Sequence, residues 1–168
     1  MKKRVFPCLM FWLLLLTKVL PAQVQDPAYN LLLQTLLSHS VREVTVNDAA
    51  LKASTAIFLD AREKREYDVS HLKDAIYVGF DEFTIASIKD IAKDNPVIVY
   101  CSVGYRSEKI SEKLISADFT NGSNLYGGIF EWVNEGHVVY DLYNQPTDKV
   151  HGYNSLWGMW LTEGEKVY

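Results

Sequence analysis

Val97-Ile98-Val99-Tyr100-Cys101-Ser102-Val103-Gly104-Tyr105-Arg106-Ser107 passes from an apolar β-branched run to a helical pattern within a few residues. Val97 to Tyr100 reads as a buried parallel strand. From Ser107 onward, Ile110, Leu114, Ile115 and Ala117 recur at helical spacing, with Glu108, Lys109, Glu112 and Lys113 assigned to the opposite, solvated face. Cys101 therefore stands at the carboxyl end of a strand, in a tight turn that opens a helix. In an open α/β sheet that is where ligands bind.

Such a turn favours anion chemistry. The first amides of a helix lack intrahelical acceptors, and the helix dipole adds partial positive charge there. A thiol at that point is expected to be exposed and ionised near neutral pH. Gly104 lets the chain curl so that successive amides face inward, and Arg106 supplies a fixed charge able to bind sulfur oxyanions. A buried cysteine is ordinarily a small core residue. The nearby glycine and arginine, the abrupt strand-to-helix switch and the lack of a partner cysteine favour a chemical role instead.

Working outward, 168 residues suffice for one domain with a real hydrophobic core. Residues 1–22 carry Lys2, Lys3 and Arg4, then an unbroken apolar run from Val5 to Leu16 and a small-residue end at Pro21-Ala22. This pattern predicts a secretory signal peptide, export to a periplasmic or extracellular space, and no stable membrane span after cleavage. Cleavage would remove four basic residues (Lys2, Lys3, Arg4, Lys18) and no acidic ones, taking the net charge from −4 to −8. It would also remove Cys8 and leave Cys101 alone. An acidic chain of this kind is a poor nucleic-acid binder.

Beyond the leader, residues 23–41 form an N-terminal helical segment. Asp26-Pro27 starts its helix and Leu31, Leu32, Leu36 and Leu37 mark its apolar face. Strands are expected at 42–46, 56–60, 76–78, 97–100 and 123–126. Between them lie a brief helix capped by Asn47, one around Arg65 to Val69, and one opened by Asp81 or Thr84 that carries Ile85, Ile88 and Ile91. Two more follow, after Cys101 and after Gly127-Gly128. The alternation predicts an α/β fold, a mostly parallel five-stranded sheet with helices on both faces. Residues 141–168 break the rhythm with Tyr143, Tyr153, Trp157, Trp160 and Tyr168, and are expected to pack on the domain beside the active site or to form a partner surface.

Charged residues at strand ends have bland explanations too. Asp60 and Arg62 either orient the reactive loop or touch substrate, or else form a structural ion pair that includes Glu66. His71 is expected to fasten a turn, and His39, His137 and His151 have no metal-ligand spacing with Cys101. No metal and no cofactor is expected.

Residues 42–140 resemble a single rhodanese domain. The resemblance is carried by Asp60-Ala61-Arg62 with Glu66-Tyr67 and Ser70-His71-Leu72-Lys73-Asp74-Ala75, by the loop Cys101 to Ser107, and by Gly127-Gly128 with Trp132 and Gly136-His137-Val138-Val139. It implies a rhodanese-like three-layer fold and a sulfurtransferase. Cys101 would take sulfane sulfur from a small donor such as thiosulfate, or from a thiol-bound donor, and pass it to a thiol or cyanide. Ser102, Val103, Gly104, Tyr105 and Arg106 would bind the substrate, and a redox protein is a plausible partner. The short span from Cys101 to Arg106 resembles the sulfur-handling version of this loop; similar folds with a longer loop handle phosphate or arsenate. A non-enzymatic persulfide carrier or interaction module is the competing expectation.

Overall fold

The structure, a computed structural model, describes residues 24–168; the expected leader and Cys8 lie outside the described residues. Five strands form the main sheet: β1 (Glu43–Val44), β2 (Ile57–Asp60), β3 (Ile76–Tyr77), β4 (Val97–Tyr100) and β5 (Gly122–Leu125). Their order is β1-β5-β4-β2-β3, and every neighbouring pair is parallel. Five α-helices accompany them: α1 (Pro27–Leu36), α2 (Val46–Leu51), α3 (Lys64–Val69), α4 (Tyr105–Ser116) and α5 (Gly128–Asn134).

Alternation along the central strand builds a core on each face. Ile98 and Tyr100 join Phe58, Val46, Tyr29, Leu33, Ile129 and Phe130 on the side of α1, α2 and α5. Val97 and Val99 join Leu59, Ile110 and Leu114 on the side of α4. The result is the expected layering of helices, sheet and helices.

Several local expectations shift. α1 begins at Asp26, whose carboxylate accepts the Ala28 and Tyr29 amides, but its buried face is Tyr29, Leu33 and then Leu37, while Leu31 points to solvent. Tertiary contact selects this face, because the Tyr29 hydroxyl donates to the Gly127 carbonyl at 2.8 Å. Thr45 rather than Asn47 caps α2, accepting the Asp48 amide. The helix expected after Thr84 is a single 3₁₀ turn, Ile85–Ile88. On α4, Ile115 is exposed and Glu108 is buried, its carboxylate accepting the amides of Ser38 and Ser40 at 3.0 and 3.2 Å.

The C-terminal residues form β6 (Val139–Tyr140) with β7 (Pro146–Thr147), β8 (Lys149–His151) with β9 (Glu165–Val167), and a 3₁₀ turn at Gly158–Trp160. They pack on the domain, as Val150 and Leu161 are fully buried in the α1-side core and Trp160 stacks on Tyr29 at 5.3 Å.

Under the sheet's carboxyl edge lies a buried ion pair. Arg62 donates through Nε and Nη2 to Asp60, at 3.0 and 2.6 Å, and through Nη2 to the Ser70 carbonyl at 2.6 Å. Both side chains are fully buried. This is the structural alternative entertained for Asp60 and Arg62, with one correction: Glu66 is engaged elsewhere. Removing one member strands the other charge inside the protein. Asp60→Ala is therefore expected to lower stability by about 3–5 kcal/mol, measured by denaturant unfolding.

Candidate active site

The reactive loop joins β4 to α4 and is fixed by its own geometry before any ligand enters. Gly104 sits at φ 118°, a left-handed conformation that L side chains rarely adopt, and this reversal turns its amide back toward Cys101. The Gly104 N–H donates to Cys101 Sγ at 3.1 Å, and Ser107 Oγ lies 3.5 Å from the same sulfur. The first amides of α4, at Tyr105 and Arg106, have no intrahelical acceptor and belong to the positive end of the helix dipole.

A second helix start braces the loop from behind. Ile129 N donates to the Cys101 carbonyl at 2.9 Å and Phe130 N to the Ser102 carbonyl at 3.1 Å. This approach is possible only because residue 128 has no side chain: a Cβ there would lie 2.4 Å from the Cys101 carbonyl oxygen. Asn124, fully buried at the end of β5, donates to the Gly104 carbonyl at 3.0 Å.

Cys101 does not stand out from the surface as expected. It is 1% exposed. Cys101 is nonetheless one of the residues lining an open cleft of about 780 Å³, together with Ser102, Val103, Tyr105 and Arg106. Leu36, Tyr77, Phe80, Tyr153 and Trp157 also line this cleft. Asp60 and Arg62 do not line it; they lie beneath, as scaffold. His71 also stays out of the cleft, stacked on Tyr67 at 4.0 Å and bonded through Nδ1 to the Tyr67 carbonyl.

Arg106 departs most from expectation. Its two terminal nitrogens bind Glu66 at 2.7 and 2.8 Å, and Nη2 also meets Ser102 Oγ at 3.0 Å. Ser102 Oγ donates in turn to Glu66 at 2.8 Å. The guanidinium is thus a clip holding both ends of the loop to α3, rather than a free cation facing the substrate. Burial acts to lower the Arg106 pKa, but the Glu66 hydrogen bonds and the charges at Cys101 and Glu66 raise it overall. For Glu66, burial acts upward, and the Arg106 hydrogen bonds and charge, the Arg62 charge and the Glu63 amide pull its pKa down to about 2.

Two participants escape a reading of the sequence. Glu66 pairs with Arg106 rather than with Arg62, the partner its spacing suggests, and Asn124 holds the loop where the only signal is a polar residue between Ser123 and Leu125 in an interior strand. The C-terminal segment contributes as well. Tyr153 places its ring 5.1 Å from the Arg106 guanidinium carbon, a cation–π contact. His151 Nδ1 accepts the Tyr153 amide at 3.0 Å, and burial pushes the His151 pKa down, which favours the neutral ring this bond requires.

Because the folded-state pKa of Glu66 lies below the ordinary 4.5, its contribution to stability is fully present above that value and is lost as pH falls toward about 2. Glu66→Gln is expected to lose roughly 3 kcal/mol at neutral pH. Its deficit against wild type should shrink through the same acid window, measured by denaturant unfolding across pH.

Residues 44–135 match the Rhodanese-like domain family. Over 134 residues the chain is 31% identical to the tRNA uridine(34) hydroxylase of Hamiltonella defensa, covering 73% of this chain and 36% of that protein. Over 100 residues it is 32% identical to the tRNA uridine(34) hydroxylase of Oceanobacillus iheyensis, covering 56% and 31%. The chain thus spans about a third of the length of these curated relatives. Among solved structures, a rhodanese-related protein from Thermoplasma volcanium is 26% identical with a TM-score of 0.53, covering 58% of this chain and 96% of that one. A thiosulfate sulfurtransferase from Pseudomonas aeruginosa, 22% identical with a TM-score of 0.53, covers 62% of this chain and 21% of its own and shares the fold. With over half its length matched, and a cysteine cupped at a helix mouth where β4 ends, the chain belongs to the rhodanese-like domain family.

Proposed function

We propose that the protein is a sulfurtransferase that carries sulfane sulfur on Cys101. The observation that carries this reading is the Gly104 amide donating to Cys101 Sγ at 3.1 Å at the start of α4, inside an open cleft. The Cys101 thiolate attacks the outer sulfur of a donor R–S–SH; the new Sγ–S bond forms as the donor S–S bond breaks, and RS⁻ leaves with the electron pair. An acceptor thiolate or cyanide then attacks that outer sulfur, and the electron pair returns to Sγ. The loop amides and the helix dipole stabilise negative charge on the persulfide, so no general base is required.

Charge around the cleft argues for a thiol-bound donor over thiosulfate. The lining cations are matched: Arg106 by Glu66, Arg65 by Glu63 at 2.8 Å, and Lys64 by Asp68. Asp81 and Glu82 also line the cleft and have no cation partner among the described residues. Lining carboxylates (Glu63, Asp81, Glu82) thus equal lining cations, every one of which is already paired, and no uncompensated positive charge meets an entering dianion. The same balance, with a net charge of −4 overall, argues against carrying over the tRNA substrate that the relatives' names state. The leader-like start supports an exported setting, in which an acceptor thiol on a redox protein is a fitting partner.

Intact mass after incubation with inorganic polysulfide tests the proposal. A gain of roughly 32 Da is expected on wild type and none on Cys101→Ser. An unmodified wild type, or equal gain in both, overturns it. Repeated turnover with cyanide as acceptor separates an enzyme from a one-shot carrier.

A further inference from the structure

The C-terminal segment lies outside the region matched by the family, yet it builds one side of the cleft. Residues 151–158 form a tight loop aimed at the site. Tyr153 takes a left-handed φ of 62°, held by its amide bond to His151. The Asn154 side chain accepts the amides of Leu156 and Trp157, each at 3.0 Å, and its carbonyl accepts the Gly158 amide at 2.8 Å. Behind this loop, Gly152 and Gly158 sit against the Tyr168 side chain, where a Cβ would meet Cε1 at 2.8 Å and the hydroxyl oxygen at 2.4 Å, respectively. The loop is thus specified by side-chain bonds and close packing, and it presents two aromatic rings.

Those rings share the cleft with apolar residues from elsewhere in the chain. Leu36 from α1, Tyr77 from β3 and Phe80 line the same cavity, and all are only partly buried. At about 780 Å³ the space is of the size that holds a drug-sized organic molecule and far exceeds what a small inorganic anion requires. No lining cation lacks a carboxylate partner, so the site offers aromatic surface in place of free positive charge.

From this we infer that the C-terminal segment is a specificity element, and that Trp157 and Tyr153 select an uncharged thiol bearing an aromatic or branched apolar group as the sulfur acceptor. This rests on the persulfide reading above. Bound with its ring between Trp157 and Leu36, the acceptor thiolate attacks the outer sulfur of the Cys101 persulfide. The Sγ–S bond breaks, Sγ regains the thiolate charge, and the product R–S–SH takes its proton from solvent. No oxidant or reductant is consumed, since the sulfane sulfur only changes partners.

The test uses the full chain loaded with polysulfide and two neutral acceptors, benzyl mercaptan and 2-mercaptoethanol, with rates corrected for thiolate fraction. Products are trapped by alkylation and quantified by mass. Wild type is expected to favour benzyl mercaptan in kcat/KM by about tenfold or more, mainly through KM. Trp157→Ala should bring the ratio near unity, Trp157→Phe should keep most of it, and Leu36→Ala, in the same cleft lining, should reduce it. A wild-type ratio near unity, or a ratio unchanged in both Trp157→Ala and Leu36→Ala, overturns the inference while leaving the persulfide reading intact. Failure of wild type to load on Cys101 overturns both, and the loading mass shows which has failed.

Discussion

The Glu66 carboxylate is the fixed point of the site. Completely buried, it gathers both terminal nitrogens of Arg106, the Ser102 hydroxyl and the Glu63 amide. A desolvated carboxylate with so many donors is stable only if every donor stays in place, so the network is all-or-none. Its geometric effect is to tie the second residue of the reactive loop and the second residue of α4 to the same helix, α3. With both ends fixed, the intervening Val103 and Gly104 have little freedom, and the Gly104 amide is held toward the sulfur. The amide positions that favour a charged sulfur are therefore set during folding and need no rearrangement during the reaction.

The backing of the loop follows the same logic from the other side. The amides that open α5 would go unpaired at a helix start; here two of them are spent on the carbonyls of Cys101 and Ser102. Residue 128 must be glycine for this, since any Cβ would overlap those carbonyls. The loop thus has its carbonyls drawn toward α5, leaving its amides to the cleft. One helix start accommodates negative charge on the substrate side, and the other absorbs the backbone oxygens that would otherwise oppose it.

How much of this was legible depended on how local the cause was. The β4 run and the switch into α4 announce themselves because strand burial and helical period are properties of contiguous residues. Gly104 was readable for the same reason. The stretch carrying Ile85, Ile88 and Ile91 was misjudged as a longer helix; strict spacing by three matches a 3₁₀ turn, in which such residues eclipse, better than it matches an α-helix. α1 is leucine-rich all round, so its own pattern could not say that Tyr29 and Leu33 face inward. The burial of Glu108 depends on the amides of Ser38 and Ser40, about seventy residues earlier in the chain. Arg106 stands at the loop as its sequence position predicts, but its pairing with Glu66 is not legible there, because that partner comes from a helix forty residues away.

The tail poses the question of why a domain with a complete loop should carry more chain. Nothing in the Cys101–Gly104–Ser107 arrangement or in the Glu66 network requires residues beyond α5. What the tail supplies is environment. It covers Tyr29 with Trp160, buries Val150 and Leu161, and sets Tyr153 over the outer face of Arg106. A guanidinium already neutralised by Glu66 gains little from another anion, but its flat face still attracts a ring. Covering that face with an aromatic side chain adds apolar surface to the same cleft wall that Arg106 lines. The left-handed backbone at Tyr153 is energetically unfavourable, and the His151 bond and the packing of Gly152 on Tyr168 hold it there. Strain kept in place by surrounding contacts beside a reactive cysteine places the tail within the site, where it governs which molecules reach the sulfur.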